Sequence, residues 1–197
     1  MNYISDVLFW ISTGLLVPVV VLLVLLFLRS LLLVGNFFGQ YLQTRKIDRL
    51  FSERIVSLEA ERVGELRASL PAKTKSPLLN TLAMMLDAGD SHSRRQLLIS
   101  EYEVAADKDM AVSKTLAKMG PILGLMGTLI PMGPALVGLS TGDIASMAYN
   151  MQVAFATTVV GLFSAAIGFI TNQVKQRWYS QDLNRLEYVS SVMDGGK

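Results

Sequence analysis

The stretch that decides the fold covers residues 119–174 and reads MGPILGLMGTLIPMGPALVGLSTGDIASMAYNMQVAFATTVVGLFSAAIGFITNQV. It contains no Lys or Arg, and neither do residues 1–28. All eighteen basic residues fall at Arg29, between Arg45 and Lys118, or from Lys175 onward. A soluble domain with 51% hydrophobic residues would scatter its charges along the chain, whereas a membrane protein excludes them from its spans. The charge distribution therefore predicts an all-α integral membrane protein.

Hydropathy predicts three transmembrane helices. Residues Val7–Leu28 are enough to cross a hydrocarbon layer of about 30 Å, which takes about 20 residues of helix. A cleaved signal peptide is the alternative for this segment, but it lacks a basic start and a small-residue cleavage site. The other two spans are predicted at Leu116–Leu139 and Ser146–Thr171, with a short turn between them.

The same charges predict the orientation. The loop after the first span and the C-terminal tail are rich in Lys and Arg, while the N-terminus and the turn at 140–145 have none. The positive-inside rule then places the N-terminus outside and the C-terminus in the cytoplasm. The predicted organisation is an outer N-terminus and first span (1–38), a cytoplasmic helical region (39–115), two spans (116–139 and 146–172) joined by an outer turn (140–145), and a cytoplasmic C-terminal helix (173–197).

The polar part of the chain is predicted to be helical. Apolar residues repeat with helical spacing over Tyr41–Leu70, and a short helix is expected at Leu78–Leu86. Ser91 or Ser93 can then start a long helix that enters the membrane near Leu116. The only histidine, His92, lies in the break before this helix. We expect a surface residue rather than a metal ligand or pH switch, because no second His or Cys completes a metal site.

The second and third spans each carry one face of small and hydroxyl residues. At about 100° per residue, these faces gather within one arc of each helix, while Leu, Met, Phe and Val occupy the remainder. Along the third span a polar residue recurs at every seventh position, from Asn150 to Thr171. The candidate lining residues of the two faces are Gly120, Gly124, Gly127, Thr128, Pro131, Asn150, Ala154, Thr157, Thr158, Gly161, Ser164 and Ala165.

Two interpretations of these faces stay open on the residues alone. Small residues let helix backbones approach closely, and hydroxyls form interhelical hydrogen bonds in membranes, so the faces can simply pack helices. Alternatively they line a passage for an ion. Neither span carries an ionisable residue within the membrane, although proton carriers normally use one. If the protein conducts protons, a titrating carboxylate must come from a different chain.

Two motifs carry a resemblance to a known family. Residues 124–129 (GLMGTL) and 154–162 (AFATTVVGL), together with the three-span topology, resemble the MotA/TolQ/ExbB proton-channel family, and most closely its TolQ/ExbB branch. The resemblance implies a homo-pentamer around two helices of a single-span TolR/ExbD/MotB-type partner, which supplies a membrane Asp. It also implies that Thr128 and Thr158 face that Asp and pass H⁺, with Na⁺ as the alternative ion. Thr157 points about 100° away from Thr158, so only one of them can be directed at the centre.

The chain departs from the family pattern at two places. Many TolQ/ExbB members carry a Glu in the third span where Val153 stands here, and neither Asn150 nor Gln152 nearby can titrate. In the second span, Pro131 and Pro134 follow the threonine, and we expect them to interrupt and kink the helix toward its outer end.

These observations predict an ion-conducting stator subunit of a motor driven by the proton-motive force in the inner membrane. The alternative is a non-conducting membrane scaffold whose cytoplasmic helices dock a partner protein. An enzyme is not expected, since no nucleophile–base pair, metal cluster or phosphate-binding loop stands in the sequence, and neither a bound cofactor nor a nucleic-acid partner is expected. The ion, the partner and the process that is powered do not follow from the sequence.

Overall fold

A computed structural model of the chain describes residues 2–56, 76–89 and 91–195. These residues form five α-helices: α1 (Asn2–Gly14), α2 (Leu16–Val56), α3 (Pro77–Asp87), α4 (His92–Thr141) and α5 (Ile144–Gly195). No strand occurs in the described ranges. Three segments are long and apolar enough to cross a membrane, one within Val7–Leu42 and one each in α4 and α5. The prediction of an all-α membrane protein with three spanning helices is therefore confirmed.

The first predicted span is built from two helices rather than one. Helix α1 ends at Gly14 and α2 begins at Leu16, although the Leu15 N–H still bonds the Ile11 carbonyl at 3.1 Å. Pro18 has no N–H, so the Gly14 carbonyl lacks the donor that a regular helix would supply four residues later. The break one residue after Gly14 follows from that missing bond.

The second predicted span lies in a helix that is not interrupted. Helix α4 continues through Pro121, Pro131 and Pro134 as far as Thr141, so the expected interruption is wrong, while a kink stays a prediction. Because a proline has no N–H, Pro131 leaves the Gly127 carbonyl without its usual helical donor.

A tight turn joins α4 and α5. Gly142 takes a φ of 77°, a left-handed conformation that glycine adopts at little cost. The N–H of Asp143 bonds the Gly138 carbonyl at 2.8 Å, and its side-chain oxygen accepts from the Ser146 N–H at 3.0 Å. Asp143 thereby satisfies one of the free N–H groups at the start of α5.

The chain divides into two compact units. The membrane unit comprises Met1–Gly35 and Val112–Asn172, and the polar unit comprises Asn36–Ala111 and Gln173–Lys197. In the membrane unit, a small core joins Val19 and Leu23 of α2 to Leu123 and Ile130 of α4. The rings of Phe27 and Phe163 also pack, with centroids 6.1 Å apart. Helix α2 thus packs against the hairpin of α4 and α5 within this unit.

The polar unit has its own apolar core. Helix α3 starts at Pro77, one residue before the predicted Leu78, with the Ser76 side chain accepting from the Leu79 N–H and Pro77 in the first turn. Its buried face packs on α4 and α5; the core residues are Leu78, Leu79, Leu82, Met85, Ile99, Tyr102, Leu186 and Val189. Of the helix predicted over 41–70, the part to Val56 belongs to α2, and the rest lies outside the described residues.

Candidate functional site

Close glycine contacts join α4 and α5 in the membrane unit. A Cβ atom built on Gly120 would lie 2.6 Å from the Gly161 carbonyl oxygen, and one on Gly161 would lie 2.7 Å from the Gly120 oxygen. A Cβ on Gly168 would meet the Leu116 Cβ at 2.6 Å. Only glycine leaves room for such an approach. Much of the small-residue face of each helix therefore packs against the other helix of the same chain.

Thr157 belongs to this packed interface. It is 7% exposed, and a Cβ on Gly127 would lie 2.6 Å from the Thr157 hydroxyl oxygen. The hydroxyl donates back to its own helix, where the Val153 and Ala154 carbonyl oxygens lie 3.0 and 2.9 Å away. Thr157 thus fills the space that Gly127 leaves, with its hydrogen bonding met locally.

Thr128 and Thr158 are the more accessible hydroxyls. Both side chains are half-buried, and each donates to a carbonyl of its own helix: Thr128 to Leu125 at 2.7 Å and Thr158 to Ala154 at 3.1 Å. Gly124 lies one turn before Thr128, and a Cβ there would meet the Thr158 Cα at an ordinary 3.6 Å. The two threonines therefore lie where the interface of α4 and α5 is less tight than at Gly120 or Gly127.

The remaining candidates divide by burial. Pro131, Ala154, Ser164 and Ala165 are buried, and the Ser164 hydroxyl donates to the Val160 carbonyl at 2.9 Å. Asn150 is half-buried, and its amide nitrogen donates to the Ser146 carbonyl at 2.8 Å. Within one chain these four buried residues serve helix packing. That they also line an ion path stays a prediction.

The bulky face of α5 is open. Its N-terminal half forms an apolar groove of about 820 Å³ that is lined by Met147, Met151, Gln152, Phe155 and Val159. Phe155 and Val159 are among the most exposed apolar residues of the helix. This face suits lipid or a neighbouring helix.

The polar unit holds a buried ion pair that the sequence did not reveal. The Lys175 ammonium, whose side chain is 3% exposed, lies 2.7 Å from an Asp109 carboxylate oxygen. The Tyr179 hydroxyl donates to the same oxygen at 2.7 Å, and the Gln40 amide approaches the other at 3.5 Å. Burial by itself raises the pKa of Asp109, but the hydrogen bonds from Lys175 and Tyr179 outweigh it and hold the pKa below its usual value. Burial, followed by the Asp109 hydrogen bond, raises the pKa of Tyr179.

Two further polar contacts repeat this arrangement along the same helices. The Tyr102 hydroxyl donates to Asp182 at 2.8 Å, and burial together with that carboxylate raises the pKa of Tyr102. The fully buried Arg95 guanidinium bonds Asp194, the Gly89 carbonyl and the Ser190 hydroxyl. On α4 these contacts start from residues seven apart, at 95, 102 and 109. That spacing is the signal by which the sequence could have shown them.

His92 is the first residue of α4, and its side chain is 60% exposed. Its Nδ1 atom lies 2.8 Å from Asp194, next to Arg95. The described residues bring together no group of three or more His, Asp or Glu side chains that could hold a metal ion. The contact of His92 with Asp194 adds an exposed side chain to the polar contacts of Arg95.

Comparison with known proteins gives one family. A sequence model of the MotA/TolQ/ExbB proton channel family matches residues 74–188, more than half of the chain. The matched range contains α3, α4 and most of α5, and with them both Thr128 and Thr158. No curated protein matches the chain.

Proposed function

The chain belongs to the MotA/TolQ/ExbB proton channel family, and from that premise we propose that it is the stator subunit of an ion-driven motor. The family supports a role in ion conduction through a multi-pass membrane protein. The finer assignment is a pentamer that surrounds two helices of a single-span partner and couples ion flow to their movement.

The observation that carries the proposal is the different placement of the two adjacent threonines. Thr157 is packed against Gly127, whereas Thr158 is half-exposed beside Gly124. We assign Thr157 to packing within the chain and Thr158, together with Thr128, to the ion path. Each of these two hydroxyls donates to its own helix and keeps its oxygen lone pairs as acceptors.

A titrating group must come from outside these helices. Between Met119 and Val174 the one ionisable side chain of the Asp, Glu, Lys, Arg and His types is Asp143, in the turn after α4. Hydroxyls can relay a proton along hydrogen bonds but do not hold a charge at neutral pH, since their own ionisation is too costly. The proposed partner therefore contributes a membrane carboxylate that faces the ring of Thr128 and Thr158.

Ion flow would supply the work. A proton that crosses the membrane releases about 2.3 kcal/mol per 100 mV. Protonation removes the charge of the partner's carboxylate and so changes how that helix fits against the threonine ring. The cycle of protonation and release then turns or shifts the inner helices, and the partner passes the movement on.

The proposal includes an orientation. The basic polar region and tail lie in the cytoplasm, and the turn with Asp143 lies outside the inner membrane. Tyr3 and Trp10 are highly exposed at the outer end of the first span, where aromatic side chains favour the membrane interface.

The number of subunits tests this assignment. Native mass spectrometry of the purified particle, with and without a co-expressed single-span partner, is expected to give five copies of this chain and two of the partner. A monomer, a dimer or a ring without a central guest would contradict the motor assignment.

A specific observation favours a second candidate, the non-conducting scaffold. Gly120, Gly127 and Gly161 are all used to pack α4 on α5, so most of the small-residue face needs no pore to explain it. A scaffold tolerates replacement of Thr128 and Thr158 by Val and needs no partner carboxylate. Ion flux through the wild-type complex separates the two functions.

A further inference from the structure

One buried side-chain atom among the described residues of the membrane unit has no hydrogen-bond partner. The side-chain oxygen Oδ1 of Asn172 is buried and accepts no hydrogen bond within the described residues. Buried polar groups in native proteins are nearly always hydrogen-bonded, and leaving one unpaired is costly. The oxygen therefore needs a donor other than those that the described residues supply.

The chemistry of the group defines the kind of partner that it needs. An amide oxygen only accepts, and the N–H groups within a helix are already bonded to carbonyls. Water and hydrated cations are the small species that can donate to it or bind it.

Asn172 lies on the face that carries Thr158. The two residues are fourteen positions apart, so at about 100° per residue they point within about 40° of each other. At about 1.5 Å per residue they are about 21 Å apart along α5, with Asn172 toward the end predicted to be cytoplasmic.

Asn172 as a whole is half-buried, whereas its Oδ1 atom is covered by the protein.

We propose that Asn172 is the inner station of the ion path, where its oxygen accepts a hydrogen bond from the water that carries the ion from Thr158 to the cytoplasm. The inference rests on the proposed function and adds the residue at which the ion leaves the membrane. On the side of α5 that carries Thr158, the other residues toward this end are small or apolar, so Asn172 would provide the polar contact for the ion there.

The test uses the complex of this chain with its co-expressed partner, reconstituted in vesicles with an imposed membrane potential. A trapped pH-sensitive dye reports H⁺ flux, and uptake of radioactive Na⁺ reports the other ion. Asn172→Leu is expected to lower the flux about tenfold, the size expected when one hydrogen-bond acceptor on the path is lost. Asn172→Asp keeps an acceptor and is expected to conduct.

Gln173→Leu is the matched control, because it removes an adjacent, exposed amide and is expected to conduct as the wild type does. Subunit number is measured for every variant by native mass spectrometry. Wild-type flux in Asn172→Leu would overturn the proposal. Loss of assembly in that variant would also overturn it, since the oxygen would then bond a neighbouring subunit. A wild-type complex that conducts neither ion contradicts the proposed function itself.

Discussion

Helices α4 and α5 are held together by different chemistry in the two units of the chain. In the membrane unit the contacts are glycine on backbone, as at Gly120 and Gly161, and the hydroxyls bond their own helices. In the polar unit the same two helices are joined by Asp109 with Lys175 and by Tyr102 with Asp182, beside an apolar core.

The difference follows from the solvent of each region. In water, burial of Leu, Met and Val is favourable, so the polar unit has a core that contains α3. Lipid gives no such driving force, because its tails are as apolar as leucine, so close packing of small residues holds the helices together. Helices α4 and α5 therefore stay paired in both units, but small residues make the contacts in one unit and larger apolar and charged residues make them in the other.

The largest expected effect on stability is in the polar unit. Asp109→Ala leaves the Lys175 ammonium buried without its carboxylate, and breaking a buried pair in this way costs about 3–5 kcal/mol. We expect the lower end, about 3 kcal/mol, because Asp109 is itself 34% exposed. Thermal unfolding in detergent measures the loss.

The double variant Asp109→Asn with Lys175→Met is the control for that prediction. It removes both charges, so most of the stability should return. If the single and double variants unfold at the same temperature, the ion pair does not hold α4 and α5 together as described.

An intermediate effect is expected in the membrane unit. Gly120→Ala would place a methyl group 2.6 Å from the Gly161 carbonyl oxygen, and overpacking of this kind costs about 1–3 kcal/mol. Gly124→Ala is the matched variant, since its Cβ would meet its neighbours at 3.6 Å. Thermal unfolding should separate the two variants, and equal stability would contradict the glycine packing.

The smallest expected effect is a loss of stability at low pH. The pKa of Asp109 is lower in the folded protein than its ordinary value near 3.9, so its contribution to stability is complete above that value. The contribution is lost as the pH falls below about 4 and the carboxylate becomes protonated. When the pH is lowered from about 6 to about 3, the unfolding temperature should therefore fall less for Asp109→Asn than for the wild type. Equal drops would assign the acid sensitivity to other groups.

Local patterns predicted much of the fold and little of its polar contacts. Runs without charge placed the three spanning helices, because this feature acts over a few residues, and the short helix expected at Leu78–Leu86 agrees with α3 within one residue at each end. The break after Gly14 was missed, although Pro18 was visible in the sequence. The pairing of Asp109 with Lys175 depends on the register of two helices far apart in sequence, and composition does not determine that register.

The candidate site shows the same limit. Helical geometry placed Thr157 and Thr158 about 100° apart and left open which of them is accessible. The contact between Thr157 and Gly127 distinguishes them, since it buries one threonine and leaves the other half-exposed. The sequence pattern could not predict the unpaired oxygen of Asn172 either, because hydrogen bonding at this atom depends on which neighbouring groups the fold brings close to it.

The most direct test of the ion path is the flux of H⁺ and Na⁺ through the reconstituted complex after replacement of Thr128 and Thr158 by Val. Valine keeps the shape and removes the hydroxyl, and Thr141→Val provides a control at the C-terminal end of α4, where the hydroxyl bonds its own helix. We predict that the double variant assembles normally and loses flux by about a hundredfold, which corresponds to about 2.7 kcal/mol. Undiminished flux in a fully assembled double variant would contradict the assignment of these threonines to the ion path.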